Sequence, residues 1–139
     1  MTDLVRAKSA LSGHTIALVG GETVLTSDKR GIAPMLDFLD QGQNLSGFCV
    51  ADVVVGKAAA MLFVKAGITA VHAVLLSEAG KEFLEKSGVA VSYDKLTPRI
   101  LNRSGDDVCP MEKTVANIDG VEEGYLALKR KAAELSARR

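Results

Sequence analysis

The feature that most constrains the fold is an almost unbroken apolar run over residues 69–76. A strand with apolar side chains on both faces must be covered on both faces, and parallel strands joined by helical crossovers meet that condition. Helical patterns flank the run, at residues 56–66 on one side and, after the N-cap residue Ser77, at residues 78–86 on the other. The sequence therefore predicts a central parallel strand in an α/β fold.

A hairpin precedes this alternating region. Gly20-Gly21 separates two β-prone segments, residues 15–19 and 22–26, and glycines tolerate the positive φ angles that a two-residue hairpin turn requires. Two further apolar segments, residues 47–51 and 89–93, are also predicted strands. Because right-handed crossovers cover a parallel sheet with helices, these strands predict a five-stranded mixed sheet in a three-layer α/β/α sandwich.

The other predicted elements lie toward the ends of the chain. Residues 94–107 break regular patterns and predict an ordered loop. The last predicted helix carries its apolar positions on one stripe, which needs a surface to cover it. Four helices are predicted in these regions, at residues 4–11, 32–41, 111–115 and 120–136.

Composition excludes one broad class of function. The chain has 139 residues and a mass of 14.6 kDa, which predicts a single domain over residues 1–139. Its 17 basic and 17 acidic side chains give a net charge of zero, and it has four Phe, two Tyr and no Trp. General nucleic-acid binding relies on a positive field and often on aromatic stacking, so we do not expect it.

The sequence also predicts a cellular location. The N-terminal residues lack a secretory signal, and no apolar run approaches the roughly 20 residues that cross a bilayer. We therefore expect a cytoplasmic protein with no membrane partner. In that compartment Cys49 and Cys109 are expected to be reduced.

Several short blocks carry a resemblance to a known family. They are residues 30–36, Ala51-Asp52 followed by residues 56–60, and Asn102-Arg103 followed by residues 109–112. Over about residues 10–130, the chain resembles a bacterial family of unknown function that is grouped by structure with the cytidine-deaminase-like fold. The resemblance implies that fold, with two helix starts that meet over the sheet. It also implies a homodimer, and no established activity.

The zinc motifs of the deaminases are missing from these helix starts. A zinc deaminase places His-x-Glu at the first start and Pro-Cys-x-x-Cys at the second. Here the first start reads Lys-Arg-Gly-Ile at residues 29–32 and the second reads Val-Gly-Lys-Ala at residues 55–58. We therefore expect no deamination, no metal site and no cofactor.

The two helix starts are nevertheless candidate binding positions. Unpaired backbone N–H groups and the positive end of the helix dipole hold phosphates and carboxylates, and Gly31 and Gly56 would allow close approach of such a group. The alternative is that each glycine only makes a tight turn from strand to helix.

Lys57 is the most informative candidate, because a cation in the first turn of a helix is disfavoured and calls for a compensating anion. Asp52, at the predicted end of the preceding strand, is one such anion and a bound ligand is another. Asn102 and Arg103 lie in the predicted loop, where Arg103 either clamps a phosphate or carboxylate or ties the loop to the body of the domain.

Cys109 and Glu112 supply a different hypothesis. A thiol at a helix start can be available as a thiolate, with Glu112 or Lys57 assisting proton transfer. The alternative is a small buried residue before the N-terminal Pro110, with Glu112 favouring the helix dipole.

Three functions therefore stand side by side. The first is binding of a small anionic or nucleotide-like ligand between the helix starts, with Lys57 and Arg103 as cationic contacts and Asp52 orienting Lys57. The second is an enzyme with Cys109 as nucleophile. The third is a structural domain whose last helix is buried against another copy.

Overall fold

The computed structural model describes residues 2–137. Its helices are α1 (Asp3–Ala10), α2 (Ala33–Asp40), α3 (Lys57–Ala66), α4 (Glu78–Lys86), α5 (Pro110–Val115) and α6 (Val121–Ala137). Its strands are β1 (Ile16–Gly20), β2 (Thr23–Ser27), β3 (Cys49–Val55), β4 (Ala70–Ser77) and β5 (Ala90–Thr97). No helix in this part of the chain is long and apolar enough to cross a membrane.

The five strands form one mixed sheet in the order β2-β1-β3-β4-β5. Strand β1 pairs antiparallel with β2 and with β3, whereas β3, β4 and β5 run parallel. The predicted hairpin is present, but its turn lies one residue later, because Gly20 pairs with Thr23 as the last pair of the ladder. Gly20 instead allows the ring of Phe48 to pack against the backbone, since a Cβ at this position would overlap that ring.

Helix α3 lies at the centre of one face of the sheet. Its residues 58–63 are all buried, and α2, α4, α5 and α6 pack around it. Glycines permit two of these contacts. A Cβ at Gly80 of α4 would lie 3.0 Å from the carbonyl carbon of Gly56, and one at Gly124 of α6 would overlap Met61 of α3.

Helix α1 covers the opposite face. Ala7 packs with Val19 and Ala51 in a small cluster that is separate from the main core. The sheet thus has helices on both faces, which confirms the predicted α/β fold with a five-stranded mixed sheet and its three layers.

Two predicted strand ends were wrong. Strand β3 continues through Asp52 to Val55, because Val53, Val54 and Val55 are β-branched residues that favour the extended conformation. Strand β5 continues past Tyr93 to Thr97, because it is an edge strand on which charged side chains are solvated. The irregular loop accordingly begins only at Pro98.

The docking of α6 can be tested with two leucines of the same helix. Leu128 is fully buried against the core, whereas Leu126 is 56% exposed. We expect Leu128→Ala to lower the free energy of unfolding by about 2–5 kcal/mol, because it leaves a cavity. The control Leu126→Ala should change it by less than about 0.5 kcal/mol. Urea unfolding measures both, and equal losses would contradict this packing.

Candidate functional site

The N-terminus of α3 is capped by a side chain from α5. The Oε1 atom of Glu112 accepts a hydrogen bond from the backbone N–H of Lys57 at 2.8 Å, and Oε2 accepts one from that of Ala58 at 2.9 Å. A carboxylate in this position satisfies two otherwise unpaired N–H groups and opposes the positive end of the helix dipole. The prediction that this helix start is free for an anionic ligand is therefore wrong, because Glu112 occupies it.

Gly56 makes this contact possible. It is the N-cap residue of α3, and a Cβ there would overlap the carboxylate of Glu112. Its φ of −111° is open to any residue, so the lack of a side chain is the property that matters. The close approach that we expected at Gly56 is made by Glu112.

Two cavities lie beside this cap, and Ile100 and Glu112 line both of them. The first, which we call the helix-start cavity, lies between the starts of α2, α3 and α5 and has a volume of about 330 Å³. The second, which we call the cationic cavity, lies between α4, α5 and the segment that follows β5, and has a volume of about 540 Å³.

The helix-start cavity brings together four of the predicted residues. Gly31, Gly56, Cys109 and Glu112 all line it, but most of its wall is apolar. The α2 start offers few donors, because Pro34 lacks an N–H and the N–H of Ala33 already donates to a carbonyl oxygen. The geometry therefore does not favour an anion between the two helix starts.

Asp52 lies in the sheet next to two residues that line this cavity, Val53 and Val54. It pairs with Ile16 of β1 and with Ala73 of β4, and its side chain is buried. Burial raises the pKa of Asp52 to about 8, although hydrogen bonds from the backbone of Val54 and Val53 act in the opposite direction. The carboxyl group is therefore protonated at neutral pH.

Lys57 does not pair with Asp52, so this part of the prediction was wrong. Its Nζ lies 3.4 Å from the carbonyl oxygen of Ala116 and 3.5 Å from Oδ1 of Asp119. The reason is the extra length of β3, which places Asp52 inside the core and not at the strand end. The Lys57 side chain is 13% exposed, whereas that of its partner Asp119 is 81% exposed.

The cationic cavity collects basic side chains from separate elements. It lies beyond the carboxyl ends of β4 and β5, where open α/β sheets usually bind ligands. Its walls also contain apolar groups, among them Phe83 and Pro98. The charged residues that line it are Lys57, Glu82, Lys86, Arg99, Glu112, Lys113 and Asp119.

Three of these basic residues, Lys86, Arg99 and Lys113, were not predicted from the sequence. They lie on α4, in the segment after β5 and on α5, so no local spacing connects them. The usable signal was topological, because the ends of parallel strands meet at one edge of a sheet. Because β5 was predicted to end at Tyr93, Arg99 was not placed at that edge of the sheet.

Asn102 and Arg103 line neither cavity. The side chain of Asn102 donates to Asp106 and accepts from the N–H of Gly105, which stabilises the loop itself. Arg103 is exposed. The structure therefore does not bring these two residues to Lys57.

Cys109 is the N-cap residue of α5, and its thiol makes no capping hydrogen bond. It shares the helix-start cavity with Glu112, but both carboxylate oxygens of Glu112 already accept backbone N–H groups. Within residues 2–137, no three His, Cys, Asp or Glu side chains lie together as a metal site requires.

The cap can be tested by Glu112→Gln. An amide can accept only one of the two N–H groups and carries no charge, so we expect a loss of about 1–2 kcal/mol in the free energy of unfolding. Gly56→Ala should cause a similar loss, because its Cβ displaces the carboxylate. The double variant should lose much less than the sum, because both changes remove one interaction.

The control for this cycle is Glu134→Gln, which removes an exposed carboxylate from α6. It should leave the free energy of unfolding nearly unchanged. Additive effects of the two cap variants in urea unfolding would contradict a shared interaction.

Burial of Asp52 predicts a pH dependence of stability. Its pKa is about 8 in the folded protein and near 3.8 in the unfolded chain, so between these values only the folded state holds the proton. The contribution of Asp52 to the free energy of unfolding is therefore fully present below about pH 4 and falls as the pH rises toward 8, by at most about 1.4 kcal/mol per pH unit. Asp52→Asn should remove this contribution.

The measurement is the difference in unfolding free energy between the variant and the wild type at pH 5, 6.5 and 8. The variant should gain relative to the wild type at each step. A difference that does not change with pH would contradict the protonated carboxyl group.

Comparisons with known proteins identify relatives. The crystal structure of a DUF1893 family protein (TM1506) from Thermotoga maritima is similar to this chain, with a TM-score of 0.83 and 29% sequence identity. The match covers 94% of this chain and 91% of that one.

A second Thermotoga maritima structure, a diaminohydroxyphosphoribosylaminopyrimidine deaminase and 5-amino-6-(5-phosphoribosylamino)uracil reductase, matches with a TM-score of 0.45 and 13% identity. That match covers 80% of this chain and 39% of the other. A search of curated proteins finds no match. The model of one family, described as TM1506, domain of unknown function (DUF1893), matches residues 6–132, and the chain therefore belongs to the DUF1893 family.

Proposed function

We propose that this domain binds a small ligand with an anionic group and an apolar portion, such as a nucleotide-like molecule, in the cationic cavity. The observation that carries this proposal is the convergence of Lys57, Lys86, Arg99 and Lys113 on one cavity of about 540 Å³. Small-molecule sites are typically cavities of about this size, mostly apolar, with a few convergent polar groups.

The ion pairs of the cavity leave Lys57 and Lys86 with one weak partner between them, although the carboxylate of Glu82 also lines the wall. Glu112 is engaged by backbone N–H groups, and Lys113 pairs with Asp107. Lys57 and Lys86 share one exposed carboxylate, that of Asp119, at 3.5 and 3.9 Å. An anionic group can replace this distant partner at Lys57, where the low exposure of the side chain limits screening by water.

The apolar wall favours a ligand that is more than an inorganic ion. Phe83, Pro98 and Ile100 offer contact surface near the cations. Compared with the prediction from sequence, the ligand class is the same, but the position moves from the two helix starts to the carboxyl edge of the sheet. Lys57 remains a contact, and Arg103 does not.

We also infer that the fold is of the cytidine-deaminase-like kind. The hairpin leads into α2 and β3 leads into α3, and the starts of both helices line one cavity. This is the arrangement that the sequence resemblance implied. Likeness of fold assigns no reaction, so we propose none from it.

The other hypotheses stay predictions. An enzyme with Cys109 as nucleophile needs a free proton acceptor, and Glu112 is engaged in the α3 cap. A structural role requires neither cavity. The cytoplasmic location and the homodimer are likewise predictions.

The binding proposal is tested with 8-anilinonaphthalene-1-sulfonate, an anion with an aromatic body, added to the full-length protein. Lys57→Met keeps the length of the side chain but removes its charge. We expect the dissociation constant to rise about tenfold or more, because a hydrogen bond to a charged group is lost. Fluorescence titration measures both proteins, and thermal melting confirms that the variant is folded.

The matched control is Lys81→Met on α4. Lys81 pairs with Glu85 and does not line the cavity, so its loss should leave the dissociation constant unchanged. Equal affinity of the wild type and Lys57→Met would overturn the proposal. Native mass spectrometry of freshly purified protein supplies a second readout, since a retained ligand should be absent from Lys57→Met.

A further inference from the structure

Strand β5 is an open edge of the sheet. It is the last strand in the order and has eight residues, whereas β2 at the other edge has five. Its register with β4 is constant from Ala70–Ala90 to Ser77–Thr97, so no bulge twists it away. Long, flat edges with exposed apolar side chains are templates for pairing with another strand. Tyr93 and Leu96 supply such side chains, with 39% and 38% exposure.

The direction of the backbone groups shows which residues could pair. The N–H of Ala90 donates to the carbonyl oxygen of Thr69, at the start of β4. Since backbone groups alternate along a strand, those of Ser92, Asp94 and Leu96 also point toward β4. Those of Val91, Tyr93 and Lys95 point outward. In the part of the chain that the structure describes, none of these outward groups has a hydrogen-bond partner outside the sheet.

We propose that β5 pairs with β5 of a second copy of this chain, antiparallel and centred on Tyr93. Two identical antiparallel strands are related by a two-fold axis perpendicular to the sheet. Residues whose backbone groups point outward then lie opposite outward-pointing residues of the other copy. In the Tyr93-centred register, Tyr93 lies opposite its equivalent and Val91 lies opposite Lys95. All of these are outward-pointing residues, which exchange N–H···O bonds directly.

Charge disfavours the two registers centred further along β5. Centring the pair on Asp94 places two carboxylates directly opposite each other, at the short Cα separation of a non-hydrogen-bonded pair. Centring it on Lys95 places two ammonium groups together. In the Tyr93-centred register each Asp94 faces the uncharged Ser92, and the two tyrosine rings can stack with an offset.

A second copy is favoured over an unrelated strand by this self-complementarity. The net charge of zero also means that two copies do not repel one another at long range. The surface differs from the apolar stripe of the last helix, where the sequence placed a dimer contact.

The first test is sedimentation equilibrium of the full chain at several concentrations. The wild type should approach twice the monomer mass of 14.6 kDa. Tyr93→Lys places two cations at the centre of the interface and should raise the dimer dissociation constant at least about tenfold. The control Leu126→Lys adds the same charge to an exposed position of α6 and should leave it unchanged.

A wild type that stays monomeric at all concentrations would overturn the proposal. A dimer that is unaffected by Tyr93→Lys would overturn it too, as would one that Leu126→Lys breaks, because that result places the contact on α6.

The register is tested by oxidative cross-linking of Tyr93→Cys. Opposed residues of a hydrogen-bonded pair have Cα atoms about 5.5 Å apart, a distance that a disulfide can span. The control Val24→Cys places a thiol on the β2 edge, and the wild type with Cys49 and Cys109 sets the background. Covalent dimer from Tyr93→Cys alone supports the register. Equal cross-linking of the two variants overturns it.

Discussion

The carboxylate of Glu112 on the N-terminus of α3 is the interaction on which much of the structure depends. Helix α3 is buried between the sheet and four other helices, so its first N–H groups have little access to water and need a partner from the protein. Glu112 supplies that partner from 54 and 55 residues away in sequence. The same contact fixes α5 against the core, and it forms the wall between the two cavities.

The two cavities differ in chemistry because the fold gathers charged side chains around one of them. The net charge of the chain does not account for the difference. The chain is neutral, yet four cationic side chains meet at the carboxyl edge of the sheet. The helix-start cavity is mainly apolar instead. Its α3 N–H groups are covered by Glu112, and the nearby Asp52 is uncharged at neutral pH because burial raises its pKa. Local fields of this kind depend on the fold, and net charge does not reveal them.

The sequence predicted the architecture because that depends on periodicity and local turn chemistry. The apolar run of β4 and the all-round apolar α3 lie where the pattern placed them, and the hairpin differs by one residue. The ends of β3 and β5 were not predictable in this way. Whether Asp52 ends a strand or is buried within it depends on burial by distant elements, and Asp94 and Lys95 are compatible with a strand only because β5 is an edge. Prediction of the site would have required contacts between residues still farther apart in the sequence. The Glu112 cap, the Lys57–Asp119 contact and the convergence with Arg99 join segments that no spacing connects.

The open edge of β5 and the cationic cavity are linked through the chain between them. Strand β5 ends at Thr97, and the next three residues, Pro98, Arg99 and Ile100, line the cavity. A strand that is paired on both sides frays less at its end than one paired on a single side, because more backbone hydrogen bonds must break together. Pairing at the edge would therefore order the segment that carries Arg99, and ligand binding in the cavity would favour pairing to the same extent, since such coupling is reciprocal. The two proposals nevertheless stand on separate residues. The charge of Lys57 is the key contact for the ligand, and the outward backbone of Tyr93 is the centre of the contact between copies.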